Sequence, residues 1–324
     1  MAMSQTLAEI TLDQARAAQQ RIRGGVARTP LVPLAAEGGP AAIWLKLENL
    51  QPIGSFKLRG AMNAMALAAP DQLARGVWTA SAGNMAQGVA WHAHRIGVRC
   101  RVVAPDHAPT TKLEAIRRLG AEVVTVPFAD WFQILVTRTS PGMEGVFVHP
   151  CADAGVMAGN ATIALEIFED LPQAKAIVVP YGGGGLSCGI AAAARALSPA
   201  TRVLACEVET AAPLAASLAA GHPVRIDYRA SFVDGIGAPF VLEEMWPLAQ
   251  RLLAGSRVVS LDAVAAAVRL LAERQRVIAE GAGAASVAAA LAGLAGEGPV
   301  VCVVSGGNLD TRRLIDILGG RTPL

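Results

Sequence analysis

A lysine at the start of a helix is the residue most able to do chemistry in this sequence. Lys57 lies in the glycine-bounded stretch 54–60. Apolar residues follow it at three- and four-residue spacing, which predicts a helix with one buried face that Ser55 can cap. Burial and the positive end of a helix both disfavour an ammonium, so we expect Lys57 to have a lowered pKa and to react as a nucleophilic amine. The alternative for this stretch alone is a solvated lysine on an amphipathic helix.

A run of four glycines is the second candidate site. Gly182, Gly183, Gly184 and Gly185, followed by Leu186, lie between the apolar stretch 176–180 and a predicted helix. Without Cβ atoms the backbone N–H groups can converge, and the helix N-terminus adds positive charge, so the run predicts an anion cradle, most often for phosphate. It matches neither a Walker loop nor the dinucleotide glycine pattern. A flexible joint is the alternative.

Two further loops follow predicted strands. In the loop 305–308, Ser305 can pair with a ring nitrogen, and the two glycines after it leave room for a flat ring. In the loop 81–84, the N–H groups of Ser81, Ala82 and Gly83 suit a carboxylate, and Asn84 adds an amide. Each signal is weak alone. Together they describe a lysine, a phosphate cradle, a ring partner and a carboxylate cradle, which is the set that pyridoxal phosphate requires.

Strands and helices alternate along the chain, which predicts parallel sheets with right-handed crossovers. Strands are predicted at 43–47, 76–80, 100–104, 122–126, 145–149, 176–180, 202–207 and 299–304. Helices are predicted at 7–23, 57–69, 85–96, 109–119, 130–138, 162–171, 187–197, 213–220, 261–279 and 281–295. The rhythm restarts after residue 150, so we expect two sheets with a cleft between them, and ligands at the carboxyl ends of the strands.

Composition excludes several classes of function. The chain of 324 residues has a net charge of only +2, which implies no nucleic-acid surface. We see no secretory signal and no apolar stretch long enough to span a bilayer. The five cysteines form no Cys-x-x-Cys pair, so buried thiols in a cytoplasmic protein are expected rather than disulfides or a metal cluster.

As an ordered set, these stretches resemble the fold-type II pyridoxal-phosphate enzymes, in the group of threonine and serine dehydratases (ammonia-lyases) and serine racemases. The resemblance covers nearly the whole chain and is carried by 47–49 with 54–61, 81–84 with 86–90, 182–186 and 305–308. It implies a tryptophan synthase β-like α/β fold. Residues 1–71 and 149–324 would form the large cofactor-binding domain and residues 72–148 a small one, with pyridoxal 5'-phosphate in the cleft between them.

The resemblance also implies roles for single residues. Lys57 would hold the cofactor as a Schiff base and later remove the Cα proton of the substrate. The remaining cofactor contacts would come from Phe56 on the ring, Asn84 at the 3-hydroxyl, Ser305 at the ring nitrogen, Gly182 to Leu186 at the phosphate, and Gly235 and Glu280 near the ring. The loop from Ser81 to Asn84, with Met85, would hold the substrate. The expected reaction is elimination from a β-hydroxy amino acid such as L-threonine or L-serine, giving a 2-oxo acid and ammonia.

The sequence departs from the family pattern at several positions. Ala82 stands where racemases of the group carry a second serine, so we favour a dehydratase over a racemase. Met85 replaces a usual histidine, and the segment 130–132 is unusually apolar. Ordinary core packing explains both, or else a pocket for a bulkier substrate such as 3-phenylserine. Pro213 replaces an aspartate that binds a divalent cation in some relatives, so no metal site is expected.

Other functions stay open at this stage. They are amino-acid racemisation, β-replacement as in cysteine synthases, and a binding protein on the same scaffold without lyase activity. The chain ends shortly after Asn308, so we expect no C-terminal regulatory domain. A homodimer is expected from the family, with a small amino acid as substrate and no nucleic-acid or membrane partner.

Overall fold

The computed structural model describes residues 7–34 and 42–323, and in that part of the chain ten strands form two sheets. The strands are β1 (Leu31–Pro33), β2 (Ile43–Lys46), β3 (Val77–Ala80), β4 (Cys100–Pro105), β5 (Glu122–Val126), β6 (Val146–Phe147), β7 (Ala176–Pro180), β8 (Arg202–Val208), β9 (Ser256–Val259) and β10 (Val300–Val303). Two separate sheets and a parallel arrangement were predicted, and both are found.

The first sheet has four strands in the order β5-β4-β3-β6, and all three of its pairs are parallel. The second has six strands in the order β1-β2-β10-β7-β8-β9, and only the edge pair β1–β2 is antiparallel. Its central strands β7 and β10 are completely buried and uniformly apolar, as expected for parallel strands that are covered on both faces. The carboxyl ends of these strands lead directly into the predicted glycine and serine loops.

Thirteen α-helices connect and cover the strands of the described chain. They are α1 (Leu12–Arg21), α2 (Lys57–Ala66), α3 (Pro70–Ala74), α4 (Asn84–Arg95), α5 (Thr110–Arg118), α6 (Phe128–Thr137), α7 (Ala154–Asp170), α8 (Gly185–Leu197), α9 (Pro213–Ala220), α10 (Trp246–Leu252), α11 (Leu261–Leu270), α12 (Gly281–Leu291) and α13 (Thr311–Leu318). The predictions at 85–96, 109–119 and 213–220 agree with α4, α5 and α9 to within one residue. The prediction missed β1, β9, α3, α10 and α13.

Several predicted helix boundaries are wrong. The predicted helices 57–69 and 281–295 end earlier, at Ala66 and Leu291, and three further boundaries differ as follows. Helix α1 begins at Leu12 rather than residue 7, because Thr11 and Gln14 form a capping box there. Helix α7 begins at Ala154 rather than 162, because Asp153 accepts the N–H of Val156 and caps it. The predicted helix 261–279 ends with a π turn over 271–275, after which Arg276 adopts a positive φ of 58° and the chain leaves the helix.

Helix α7 lies against both α2 and α8 at very short range. A Cβ atom on Gly159 would stand 2.3 Å from the carbonyl oxygen of Arg59, and one on Gly189 would stand 2.5 Å from the carbonyl oxygen of Met157. These glycines therefore let the three helices dock backbone to backbone. The close docking places the start of α2, with Lys57, beside the carboxyl ends of the six-stranded sheet.

Candidate active site

Lys57 is the first residue of α2, at the floor of the cleft. Its Nζ donates a hydrogen bond to the carbonyl oxygen of Pro150 at 2.5 Å and lies 5.1 Å from the centre of the Phe56 ring. Burial lowers the pKa of Lys57, and the nearby Cys151 and Glu280 offset this only in part. The pKa therefore shifts in the direction expected from the sequence, toward a neutral amine.

Ser55 contributes to the first turn of α2 differently from a regular cap. The cap position is Phe56, which has no side-chain capping bond, whereas the Ser55 hydroxyl accepts the N–H of Lys57 at 3.4 Å. The backbone around Ser55 is held from outside the helix, since the N–H of Phe56 donates to the carbonyl of Ser305 at 3.0 Å. The lysine loop and the serine loop therefore lie side by side.

Ser305 follows the apolar strand β10 by two residues and is only 2% exposed. The next residue, Gly306, pairs with Ser55 in an isolated bridge, and a Cβ atom there would stand 2.5 Å from Oε1 of Glu280. Gly306 is therefore required for the close approach of Glu280. This places Ser305, Glu280 and the lysine loop around one space.

The glycine run forms the opposite wall of that space. Gly184 has a positive φ of 86° and is the cap position of α8, and the N–H groups of the first turn of this helix have no partner within the helix. A Cβ atom on Gly183 would stand 2.1 Å from Sγ of Cys151, and one on Gly185 would stand 2.3 Å from the carbonyl oxygen of Cys151. Both glycines are therefore needed for the loop to fold against Cys151.

Gly235 lies between the glycine run and Glu280. A Cβ atom on Gly182 would lie 3.3 Å from the carbonyl oxygen of Gly235, and one on Gly235 would lie 3.5 Å from Oε1 of Glu280. The glycine run and the Glu280 side chain are thus bridged by Gly235. The structure brings the predicted cofactor residues Phe56, Lys57, Asn84, Gly182, Gly183, Gly184, Gly185, Leu186, Gly235, Glu280 and Ser305 to a single cleft.

A short relay of polar side chains fixes Asn84. Its Nδ2 donates to both carboxylate oxygens of Glu280, at 2.9 and 3.1 Å, while its Oδ1 accepts from Nδ2 of Asn308 at 2.8 Å. Asn308 is anchored in turn to the carbonyl of Ile53 at 2.9 Å. The relay sets the orientation of the Asn84 amide, since its oxygen must face Asn308 and its nitrogen Glu280.

Burial raises the pKa of Glu280 from 4.5 to about 7, although the bond from Asn84 opposes the shift. Between these two values the folded protein binds the proton more tightly than the unfolded chain, so this carboxyl group lowers the free energy of unfolding as the pH rises. One pKa unit corresponds to about 1.4 kcal/mol, and partial exposure of the residue reduces the effect, so we expect a loss of about 2 kcal/mol.

The variant Glu280→Gln tests this titration. We expect the cofactor-free variant to lose less stability than the cofactor-free wild type between about pH 4.5 and pH 7, because the amide does not titrate. Urea unfolding of both proteins at a series of pH values measures the difference. Parallel pH profiles for the two proteins would show that Glu280 does not titrate in this range.

The predicted substrate loop lies between β3 and α4. The Ser81 hydroxyl accepts a hydrogen bond from the N–H of Gly83 at 3.2 Å, and a Cβ atom on Gly83 would meet nothing within 4 Å. The loop therefore borders open space at Gly83, next to Ala82 and Asn84. Met85 differs, because its side chain is 1% exposed and packs in the apolar core beside the four-stranded sheet. Met85 belongs to the first turn of α4, and its side chain is not part of the substrate loop.

Sequence reasoning missed the segment after β6. His149 is buried, and its Nδ1 accepts the N–H groups of Cys151 and Ala152 at 3.1 and 2.7 Å. Burial and the nearby Arg138 lower the pKa of His149 to about 3, so the ring is neutral and can serve as this acceptor. The turn presents the Pro150 carbonyl to Lys57 and Cys151 to the glycine run. This turn follows the carboxyl end of a parallel strand, where ligand sites are common, and that position was the signal from which the sequence could have identified it.

The residues of the cleft fit pyridoxal phosphate. The amine of Lys57 has no carboxylate partner within hydrogen-bonding distance in the described chain, the first turn of α8 offers N–H groups to an anion, and Phe56 supplies an apolar face. Below the glycine run, the buried Tyr181 hydroxyl has no hydrogen-bond partner in the described residues and lies 3.2 Å from the Cβ position of Gly184. Together these donors suit a phosphorylated, flat aldehyde.

The region around Pro213 forms a helix cap. Pro213 begins α9, and the buried Glu207 carboxylate accepts the N–H groups of Leu214 and Ala215, each at 2.8 Å, and the Ser256 hydroxyl at 2.7 Å. Among residues 7–34 and 42–323, no three His, Cys, Asp or Glu side chains gather as a metal site. Nor does any helix in those ranges have the length and apolar character needed to cross a membrane.

Comparison with known proteins gives concordant matches. The chain is 38% identical over 314 residues to an L-threonine ammonia-lyase of Thermotoga maritima, covering 95% of this chain and 78% of that protein. It is 39% identical over 302 residues to an L-threonine ammonia-lyase of Geobacter sulfurreducens, covering 92% and 75%. Among solved structures, maize serine racemase superposes with a TM-score of 0.88 at 31% identity, covering 97% of this chain and 98% of the racemase.

The family model described as pyridoxal-phosphate dependent enzyme matches residues 22–306. This range contains the lysine loop, the glycine run and Ser305, which surround the cleft. All ten strands of the two sheets also lie within the matched range. The chain therefore belongs to the pyridoxal-phosphate dependent enzymes, in the fold-type II group that includes the threonine ammonia-lyases and serine racemases.

Proposed function

We propose that this enzyme is a pyridoxal-phosphate dependent ammonia-lyase that converts a β-hydroxy-α-amino acid to a 2-oxo acid and ammonia. The observation that carries the proposal is Lys57 itself, whose amine has a lowered pKa and donates to the Pro150 carbonyl, next to the Cys151 against which the glycine run packs. The similarity to two L-threonine ammonia-lyases supports the same reaction class. One water is lost in the elimination and one is consumed when the released enamine hydrolyses, so the amino acid gives one 2-oxo acid and one ammonia with no net change in water.

Bound pyridoxal phosphate supplies an electron sink for the negative charge that forms at Cα. The protein residues supply position and proton transfer. Lys57 removes the Cα proton, because the lowered pKa of its amine favours the unprotonated form that acts as a base. In the loop 81–84, the N–H of Ser81 donates to Val103 and that of Gly83 to the Ser81 hydroxyl, so the N–H groups of Ala82 and Asn84 remain to hold the substrate carboxylate. Glu280 and Asn308 keep the Asn84 side chain in place. Ser305 offers a neutral hydroxyl to the ring nitrogen, which favours elimination over transamination.

Racemisation is the second candidate function, and the similarity to maize serine racemase favours it. A racemase needs a proton donor on the face of Cα opposite Lys57. Ala82 has no acidic proton, and the neighbouring Ser81 hydroxyl is held against the loop backbone by the bond that it accepts from the N–H of Gly83. We therefore propose elimination as the main reaction. Interconversion of L- and D-serine as fast as release of pyruvate would contradict this choice.

Two aromatic side chains, which we call the aromatic rim, are a candidate binding surface for an apolar group on Cβ of the substrate. Phe132 of α6 meets Phe240 edge to face, with 5.3 Å between ring centres, and the Arg225 guanidinium lies 5.2 Å from the centre of the Phe240 ring. Phe240 follows the Gly235 turn by five residues, so the pair connects α6 with the segment after that turn. Trp131 packs instead with the apolar cluster of the four-stranded sheet. We propose that Phe132 and Phe240 bind the β-substituent.

The decisive experiment is release of 2-oxo acid from purified holoenzyme with L-threonine, L-serine and L-threo-3-phenylserine side by side. We expect all three to react and phenylserine to have the highest kcat/KM. Faster turnover of threonine would overturn the assignment of the aromatic rim but leave the lyase intact. Release from none of them, with the cofactor still bound to Lys57, would overturn the lyase proposal.

The variant Phe132→Ala tests the rim directly. An aromatic pair contributes about 0.5–1.5 kcal/mol beyond its buried area, so we expect the ratio of kcat/KM for phenylserine over threonine to fall about 3- to 10-fold. Phe128→Ala is the matched control, because this neighbour in α6 is half exposed and contacts His107 and Trp131 instead. An unchanged ratio in Phe132→Ala would show that the ring does not touch the substrate.

A further inference from the structure

A cluster of four buried charges lies behind the lysine. Lys46, Glu48 and Arg59 have no measurable exposure and Glu166 is 4% exposed. We call these four residues the buried ion cluster. They come from the end of β2, the 3-10 turn after it (Glu48–Leu50), the first turn of α2 and the middle of α7. The two cations and two carboxylates sum to zero charge.

Arg59 is the centre of the buried ion cluster. Its Nε and one terminal nitrogen donate to the two oxygens of Glu48, each at 2.8 Å. Its terminal nitrogens also donate to both oxygens of Glu166, at 2.7 and 2.9 Å, and to the hydroxyl of Thr162 at 3.1 Å. The planar guanidinium is thus held from two sides by paired bonds, a geometry that lysine cannot reproduce.

Lys46 completes the cluster from the sheet. Its Nζ donates to Oε2 of Glu166 at 2.5 Å and to the carbonyl of Thr29 at 2.6 Å. The Thr29 hydroxyl donates to Glu48, so the strand end, the 3-10 turn and both helices share one hydrogen-bonded unit. Each charge has a partner of opposite sign, which is the condition under which buried charges are tolerated.

Stability alone gives a poor account of this arrangement. Two buried ion pairs carry a desolvation penalty that offsets their attraction, and apolar side chains of similar volume are often at least as stabilising. What the cluster provides is a fixed geometry among β2, α2 and α7. The cap residue of α2, Phe56, makes no side-chain capping bond, so the first turn of α2 has no strong local anchor of its own.

Arg59 and Lys57 share this first turn. Successive residues of an α-helix are about 100° apart around its axis, so these two side chains point about 200° apart. Lys57 faces the cleft while Arg59 reaches into the interior. A rotation of the turn that moved Lys57 would therefore break the paired bonds of Arg59, and the close contact of Gly159 with the Arg59 carbonyl resists a shift toward α7.

We propose that the buried ion cluster holds Lys57 in register with the cofactor cleft, with Arg59 as the positioning residue. The proposal rests on the proposed function only in that Lys57 must be the residue that binds pyridoxal phosphate. The cluster acts by position, since the groups around Lys57 that raise its pKa are Cys151 and Glu280, and burial lowers it. A neutral cluster adds little net field at the amine.

The test measures covalent attachment of pyridoxal phosphate to Lys57 in cofactor-free protein, without substrate. Visible absorbance gives the rate, and borohydride reduction followed by peptide mass spectrometry gives the site. We expect Arg59→Lys to slow attachment about 10- to 100-fold, because a misplacement of about 1 Å costs up to a hundredfold in rate. The pH midpoint of attachment should stay where it is in the wild type, and kcat should fall more than KM rises.

Arg28→Met is the matched control. Arg28 also makes paired bonds to carboxylates, with both Asp170 oxygens at 3.0 and 2.8 Å and with Glu169 at 3.0 Å, but on the surface at the end of α7. We expect it to attach the cofactor at the wild-type rate. A shifted pH midpoint of attachment in Arg59→Lys would indicate that Arg59 acts on the charge of Lys57 and not on its position, which would overturn the proposal.

Thr162→Val tests the positioning role of Arg59 if Arg59→Lys does not fold. This variant keeps charge and shape and removes one acceptor of Arg59, and we expect about threefold slower attachment. A folded variant of either kind that attaches the cofactor at the wild-type rate overturns the proposal. Failure of the wild type itself to attach the cofactor at Lys57 would instead overturn the proposed function.

Discussion

Lys57→Ala is expected to abolish both covalent cofactor attachment and release of the 2-oxo acid. The residue supplies the amine that binds the aldehyde and the base that removes the Cα proton, and loss of a positioned base alone costs about 10²–10⁴ in rate. We therefore expect kcat to fall by about 10³ or more. Borohydride reduction of the wild-type holoenzyme should fix pyridoxal phosphate on the peptide that contains Lys57.

The chain offers a simple control for that assignment. It contains four lysines, at 46, 57, 112 and 175. Lys46 belongs to the buried ion cluster, Lys112 pairs with Asp234 at 2.7 Å, and Lys175 is exposed. We expect Lys175→Ala to keep wild-type attachment and activity. Fixation of the cofactor on any lysine other than Lys57 would contradict the whole assignment of the site.

Gly185→Ala is expected to have the second largest effect. The new Cβ atom would stand 2.3 Å from the carbonyl oxygen of Cys151, a backbone atom that cannot rotate away. The glycine run must then move, and forced overpacking costs about 1–3 kcal/mol. We expect the Kd for pyridoxal phosphate to rise about 10- to 100-fold, since the displaced N–H groups belong to the anion cradle. Equilibrium titration of the cofactor-free protein measures this.

Gly182→Ala is the matched comparison within the same loop. Its Cβ atom would meet Gly235 and Ile236 at 3.3 and 3.4 Å, contacts that a shift of a few tenths of an ångström relieves. We expect a smaller loss of affinity than for Gly185→Ala. Equal losses in the two variants would indicate that the added methyl group blocks the phosphate directly. Wild-type affinity in Gly185→Ala would show that the contact with Cys151 does not set the shape of the loop.

The two variants and the Arg59 experiment examine different walls of one cleft. The glycine run depends on the turn at Cys151, which His149 supports through two bonds to its Nδ1. The lysine side depends on the buried ion cluster through the first turn of α2. A defect in the glycine run should weaken binding of the phosphate, whereas a defect in the cluster should slow attachment at Lys57. The two effects can therefore be measured separately.

The local order of the site followed from the sequence alone. An apolar stretch of five residues, then Tyr181 and four glycines, favours a buried strand that turns sharply into a helix, and β7 and α8 have that form. The spacing of apolar residues after Lys57 likewise predicted α2 and the place of the amine at its start. These features are determined by neighbours in the chain, through periodicity and the freedom of glycine.

Features that depend on distant contacts were decided only by the tertiary structure. Residues 154–161 were not predicted to be helical, yet they extend α7 back to its Asp153 cap and pack against both α2 and α8. Met85 occupies a family substrate position, but the core of the four-stranded sheet takes up its side chain. The bond from Lys57 to Pro150, the relay from Asn308 to Glu280 and the four-charge cluster join residues about 90 to 220 positions apart. No local pattern encodes such pairs, because packing of whole elements brings them together.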